Sequence, residues 1–357
     1  MSQTVLLDDL SALQERDRNG MLAAIHELPE QIEAATVLAT EAELSVSRRP
    51  FQNILVAGMG GSAISGDLLA GLIYDEAGLP LLVHRNYGIP AFVGEDTLVF
   101  AASYSGNTEE TMSSYRAAKA RRAPVIAVTG GGQLEKEARA NGDTVIKIPS
   151  GLQPRAAVGY LFFPMLVAVA RLGLIRDYGA DIAETREVLK EMRESLGPAV
   201  PVAKNPAKAM AERLVGRIPV IYGTFRYTDA VAMRWKGQFN ENSKTPAFFH
   251  SFPELDHNEI MGWEGLEELT KKLVVILLRG AEDLEPNVRR IQITWDLALG
   301  KADQVLEVHS QGRSRLAQLF SLLYFGDFVS TYLALLLGKD PSPVETIQGL
   351  KKRLAQG

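Results

Sequence analysis

Residues 101–111 read AASYSGNTEET, and within them Ser103, Ser105 and Thr108 present three aliphatic hydroxyls around Tyr104, Gly106 and Asn107, with no basic side chain. A second segment, GMGGSAISG at 58–66, places Gly60 and Gly61 before Ser62. Each segment follows an apolar run and leads into a helical pattern. The start of a helix offers unpaired N–H groups and the positive end of the macrodipole, so it attracts anions. Hydroxyls add donors, and glycine lets the backbone approach closely. Two such turns converging on one group predict a phosphate held by neutral donors: Gly60, Gly61, Ser62, Ser103, Tyr104, Ser105 and Thr108. Two other readings use the same residues. Ser and Thr can simply cap the helices. Gly58-Met59-Gly60-Gly61-Ser62-Ala63 also fits the G-x-G-x-x-A dinucleotide pattern, but the next strand ends in His84-Arg85 rather than an acidic residue for a ribose. A nucleoside-triphosphate loop is excluded, because no GKS or GKT is present.

These turns need a scaffold. The segments NILVA, LPLLVHR, TLVFAAS, APVIAVT and TVIKIP are short β-rich runs alternating with helical patterns, which predicts a parallel doubly wound α/β sheet. Residues 9–46 carry helical apolar spacing interrupted near Pro29 and predict a helical N-terminal arm over 1–45. A first domain spans 46–200. The Pro-rich break GPAVPVAKNP marks a boundary, after which strands and helices restart over 201–357. The second half repeats the architecture of the first without its glycines, and two helical segments, 313–338 and 343–355, close the chain.

Composition narrows the function. The 357 residues are 46% hydrophobic and 23% charged, as in ordinary globular proteins. A formal net charge of −5 gives no nucleic-acid footprint. There is no cysteine, and the five histidines show no metal-ligand spacing, so thiolate and HExxH chemistry are excluded. The N-terminus is acidic and the run YLFFPMLVAVA is too short to span a bilayer, so a soluble cytoplasmic protein is expected.

GMGGSAISGDLL and SYSGNTEET resemble the phosphosugar-binding turns of sugar isomerase (SIS) domains. FNENSKTPAFFHSFPELDHNEIMGW, at 239–263, resembles the signature of the bifunctional phosphoglucose/phosphomannose isomerases within that superfamily. The similarity runs from about residue 45 to the C-terminus. It implies two tandem SIS-like doubly wound domains with helical arms. It also implies reversible conversion of glucose 6-phosphate, and of mannose 6-phosphate, to fructose 6-phosphate without metal or nucleotide cofactor. Active sites shared across a homodimer are implied as well.

The chemistry needs a base beside carbon 2, a ring-opening group and a cation near the developing oxyanion. The resemblance assigns Glu241 as base. It lies two positions beyond the apolar stripe Val231, Trp235, Phe239, near the end of a helix that begins at about Thr228. His257, expected at a helix start with Asp256 or Asn258 as cap, matches the ring-opening histidine, contributed by the neighbouring subunit. Arg155 in GLQPRAAVGY matches the arginine that stabilises the enediolate. The C-terminal DPSPVETIQGLKKRL resembles a segment that supplies a hydroxyl, either Ser342 or Thr346, and a lysine, either Lys351 or Lys352. The other classes weighed are a non-catalytic phosphosugar-binding SIS regulator, a SIS enzyme that moves amino groups, and an NADP-dependent oxidoreductase. The chain carries neither a basic recognition helix nor a nucleophilic cysteine, which disfavours the first two.

Overall fold

A computed structural model describes residues 3–354. Four helices open the chain: α1 (Gln3–Asp8), α2 (Leu10–Arg16), α3 (Met21–His26) and α4 (Leu28–Glu41). The break expected at Pro29 falls just before it, at Glu27. Pro29 itself sits in the first turn of α4, where a missing N–H costs no hydrogen bond.

The first sheet holds β1 (Asn53–Ala57), β2 (Leu81–His84), β3 (Thr97–Ser103), β4 (Val125–Thr129) and β5 (Thr144–Lys147). All neighbours are parallel, in the order β2-β1-β3-β4-β5. The interior strands β3 and β4 are buried along their whole length, which is why their sequences are continuously apolar rather than alternating. Helices α5 (Gly60–Leu72), α6 (Glu109–Ala120) and α7 (Gly132–Ala140) follow β1, β3 and β4. The strand order reverses between β1 and β3, whose carboxyl ends lie side by side with Ala57 opposite Ala101. A crevice at such a reversal is where open α/β sheets bind ligands. Both glycine-serine turns leave the sheet there.

Helices α8 (Val158–Arg171), α9 (Gly179–Leu196) and α10 (Pro206–Leu214) lead to the second sheet. It consists of β6 (Ile218–Thr224), β7 (Phe248–Phe252), β8 (Leu273–Arg279) and β9 (Gln304–His309), again all parallel, in the order β7-β6-β8-β9. Its helices are α11 (Asp229–Glu241), the short α12 (Glu267–Thr270) and α13 (Glu285–Leu297). The α/β class and the two parallel sheets are as the sequence predicts.

The chain closes with α14 (Arg315–Leu336) and α15 (Glu345–Leu354). By length and composition α14 could cross a membrane, unlike the shorter apolar run at 160–170; yet 89% of its apolar window is buried inside the fold. It is a core helix. It packs on α9, α10 and α11, and Gly326 lets the indole of Trp235 lie directly on its backbone. One continuous apolar core runs from the N-terminal arm through α8 to α11 and α14, and thereby joins the two sheets. Helix α15 is different: it has no buried residue, and Ile347, Leu350 and Leu354 remain exposed.

Candidate active site

The two turns come first. Gly60, Gly61 and Ser62 form the first turn of α5, and Met59 before them supplies no side-chain cap. Thr108 stands at the N-cap of α6 but makes no side-chain capping bond. The capping reading of these hydroxyls therefore fails, and the helix starts keep their amides free of side-chain oxygens. Ser103 and Thr108 instead share a hydrogen bond of 3.0 Å between hydroxyls, and the Ser103 oxygen accepts from the Gly106 N–H at 3.1 Å. Ser105 is exposed at the tip, and its hydroxyl accepts from the Asn107 N–H. Gly106 is required here. Its φ is +68°, and a Cβ would overlap the Gly131 carbonyl. The sequence places Tyr104 among the phosphate donors. Its phenol oxygen accepts from the Leu152 N–H at 2.9 Å, so the side chain anchors the loop that leads to Arg155.

That loop meets the head of α5. A Cβ on Gly61 would lie 2.8 Å from the Pro154 carbonyl oxygen and 3.3 Å from the Arg155 Cα. The absence of a side chain at Gly61 thus sets the distance between the head of α5 and Arg155.

Arg155 lies in a single 3-10 turn, Pro154–Ala156, and is 3% exposed. A surface arginine is excluded. Its guanidinium donates in four directions: Nε to Asn242 Oδ1 at 2.6 Å, Nη1 to Glu241 Oε2 at 3.3 Å, and Nη2 to the carbonyls of Pro341 and Ser342 at 2.7 and 3.0 Å. A planar fork with five donors suits such a set; an ammonium would not. Burial pulls the guanidinium below its ordinary value, while the Glu241 carboxylate works in the opposite direction.

Glu241 is the last residue of α11. Val231, Trp235 and Phe239 are all buried and fix the helix on the core, which turns the helix end toward Arg155. The Glu241 carboxylate is about one-third exposed and opens onto a cavity of about 680 Å³. The opposite wall is the segment from Lys339 to Ile347, including Asp340, Glu345 and Thr346. Lys244 ties that wall to the helix end. Its Nζ donates to the Glu241 carbonyl at 2.6 Å and to the carbonyls of Pro341 and Pro343 at 3.1 and 2.8 Å. Burial, and then the Arg155 charge, push the Lys244 amine down.

The structure thus brings together the α5 turn, Arg155, Glu241 and the start of the C-terminal segment. Ser342 is buried beside Arg155, and its hydroxyl has no hydrogen-bond partner among the described residues. Thr346 faces the cavity further out. Lys351 and Lys352 sit on exposed α15 and contact none of these groups. His257 is exposed as well. It ends a 3-10 turn, Glu254–His257, rather than starting a helix, and Asn258 caps the following turn by accepting from the Glu259 N–H. Sequence reasoning does not single out Asn242 and Lys244. Both lie in the quoted NENSK segment, directly after Glu241, but nothing local reveals partners about a hundred residues away.

Comparison with known proteins extends this picture. Residues 49–169 match the SIS domain family, and residues 203–354 match the family described as bacterial phospho-glucose isomerase C-terminal SIS domain. A bifunctional phosphoglucose/phosphomannose isomerase of Caldicellulosiruptor bescii is 46% identical over 94% of this chain and 99% of its own length. One of the same description from Aquifex aeolicus is 38% identical over 85% of this chain and 91% of its own. Among solved structures, a glucose-6-phosphate isomerase like protein from Thermus thermophilus superposes with a TM-score of 0.63 at 25% identity, covering 95% of this chain and 98% of the other.

Proposed function

The chain belongs to the bifunctional phosphoglucose/phosphomannose isomerase family, and from that premise we propose that it interconverts glucose 6-phosphate and mannose 6-phosphate with fructose 6-phosphate through an enediol. It is an isomerase, and the proposal concerns its substrates and the residues that act on them. The observation that carries the reading is the Glu241 carboxylate 3.3 Å from the buried Arg155 guanidinium, on the wall of a cavity large enough for a hexose phosphate.

The sugar phosphate is held by the amides and hydroxyls at the starts of α5 and α6: Gly60, Gly61, Ser62, Ser103, Ser105 and Thr108, with the Tyr104 backbone between them. His257 opens the ring by passing a proton between the ring oxygen and the anomeric hydroxyl. Glu241 then takes the proton from carbon 2 of the open aldose as the carbon 1 carbonyl oxygen gains negative charge. Arg155 stabilises that oxygen, and the nearby Ser342 hydroxyl is a candidate donor to it. Return of the proton from Glu241 to carbon 1, with the carbon 2 hydroxyl proton passing to the negative carbon 1 oxygen, gives the ketose. No electron leaves the sugar. Glucose and mannose phosphates differ only in configuration at carbon 2, which is planar in the enediol, so both collapse to one intermediate.

His257 is exposed in the single chain, and the aromatic edge strand beside it leaves Phe248 and Phe249 uncovered, with Met261 beyond. These features support a homodimer in which His257 serves the partner's site. Closure by α15 carrying Lys351 or Lys352 fits the same arrangement. A cytoplasmic location and a role in glycolysis or gluconeogenesis accompany the proposal.

The test is a coupled assay of glucose 6-phosphate and mannose 6-phosphate side by side, following fructose 6-phosphate. Turnover of both is expected. Turnover of glucose 6-phosphate alone would remove the mannose branch, and turnover of neither would overturn the reading in favour of a binding protein.

A further inference from the structure

Helix α14 is apolar over nearly its whole length, yet it carries Asp327, which is 3% exposed. A buried ion is costly, and an apolar group of similar size commonly stabilises a core as well or better. Packing alone does not explain the residue. Its partners do. Asp327 Oδ2 accepts from Arg234 Nη2 at 2.7 Å, and Oδ1 accepts from Gln238 Nε2 at 2.7 Å. The same Arg234 nitrogen donates to the main-chain carbonyl of Arg155 at 2.9 Å. One turn further along α14, the Ser330 hydroxyl accepts from Asn242 Nδ2 at 3.0 Å, and Asn242 in turn receives the Arg155 Nε–H.

Arg234, Gln238 and Asn242 are spaced i, i+4, i+8 and therefore share one face of the helix that ends in Glu241. The Arg155 backbone and the Glu241 helix are both referred to one buried carboxylate, while the Arg155 side chain reaches the same stretch of α14 through Asn242 and Ser330. The charges also balance: Arg155 and Arg234 against Asp327 and Glu241. Burial pushes the Asp327 carboxyl up, and the Arg234 guanidinium works against that by favouring the ionised form.

We infer that Asp327 is a positioning residue: through Arg234 and Gln238 it fixes the gap between the Arg155 guanidinium and the Glu241 carboxylate. It touches neither the cavity wall nor the phosphate turns. The inference rests on the isomerase reading for its catalytic consequence, but not for its structural one.

The test is Asp327→Asn, which keeps the volume and removes the charge. The expected result is a fall in kcat of about tenfold or more, since displacement of reacting groups by about 1 Å is worth up to about 100-fold. KM for fructose 6-phosphate and the affinity for inorganic phosphate stay within about threefold of the parent, with the folded fraction matched to the parent by circular dichroism so that the fall in kcat is that of folded enzyme. Nitrogen-15 spectra of the arginine Nε–H groups, with Arg155 assigned from an Arg155→Lys sample, give a readout free of turnover. The Arg155 signal is expected to be sharp and slowly exchanging in the parent and lost in the variant. A folded Asp327→Asn protein with kcat within twofold of the parent, or with an unchanged Arg155 signal, overturns the inference. If Asp327→Asn does not fold, Gln238→Leu decides by the same two readouts. Absence of any isomerase activity in the parent would sink the functional reading, while the Arg155 spectrum would still judge the role of Asp327.

Discussion

Glu241→Gln is expected to lower kcat by about 10²–10⁴-fold while changing KM for fructose 6-phosphate only a few-fold. Glutamine has nearly the same volume, and its amide oxygen can still accept from Arg155 Nη1. What it loses is the ability to take and return a proton. The amides and hydroxyls proposed to hold the phosphate, at the heads of α5 and α6, are left unchanged by the substitution, so binding of the charged end of the sugar is expected to be retained. Thermal unfolding of the variant, expected near that of the parent, separates this from a folding defect. Steady-state kinetics in both directions measure it, because one base serves both. Near-normal turnover would remove Glu241 from proton transfer.

Arg155→Lys is expected to fail in two ways at once. The substitution keeps a positive charge but not the fork that reaches Asn242, Glu241, Pro341 and Ser342 together. Loss of a placed cation at the developing oxyanion predicts a fall in kcat of about 10²–10³-fold. The buried Asn242 oxygen and the Ser342 carbonyl lose their Arg155 donors, while Pro341 keeps Lys244, and each unsatisfied group costs about 1–3 kcal/mol. A lower melting temperature therefore accompanies the activity loss. Kinetics well below the transition, with thermal unfolding run in parallel, separate the two effects. Full activity in a destabilised protein would confine Arg155 to an architectural role.

The sequence carried the scaffold because local forces decide it. Continuous apolar runs mark strands buried on both faces, as in β3 and β4, and the spacing of Val231, Trp235 and Phe239 places Glu241 at the end of its helix. The glycine-serine turns were legible for the same reason: their geometry is local. What the sequence concealed is long-range. Arg155 is placed only by the resemblance, since nothing in GLQPRAAVGY reveals its burial, which depends on partners 87, 186 and 187 positions later. Asp327 is a single acid in an apolar run, and only the packing of α14 on α11 makes it a counter-ion. The register of the C-terminal segment was open between Ser342 and Thr346. The fold distinguishes them, one buried beside Arg155 and one on the cavity wall. Lys351, Lys352 and His257 stay at the surface of the single chain.

The most direct measurement of the central claim is a crystal structure with fructose 6-phosphate bound. The phosphate is expected within hydrogen-bond reach of the Ser103, Ser105 and Thr108 hydroxyls and the amides that open α5. Carbons 1 and 2 are expected about 3–3.5 Å from a Glu241 oxygen, with Arg155 on the same side of the sugar. A phosphate seated elsewhere, or a sugar whose carbons 1 and 2 lie beyond contact with Glu241, would contradict it.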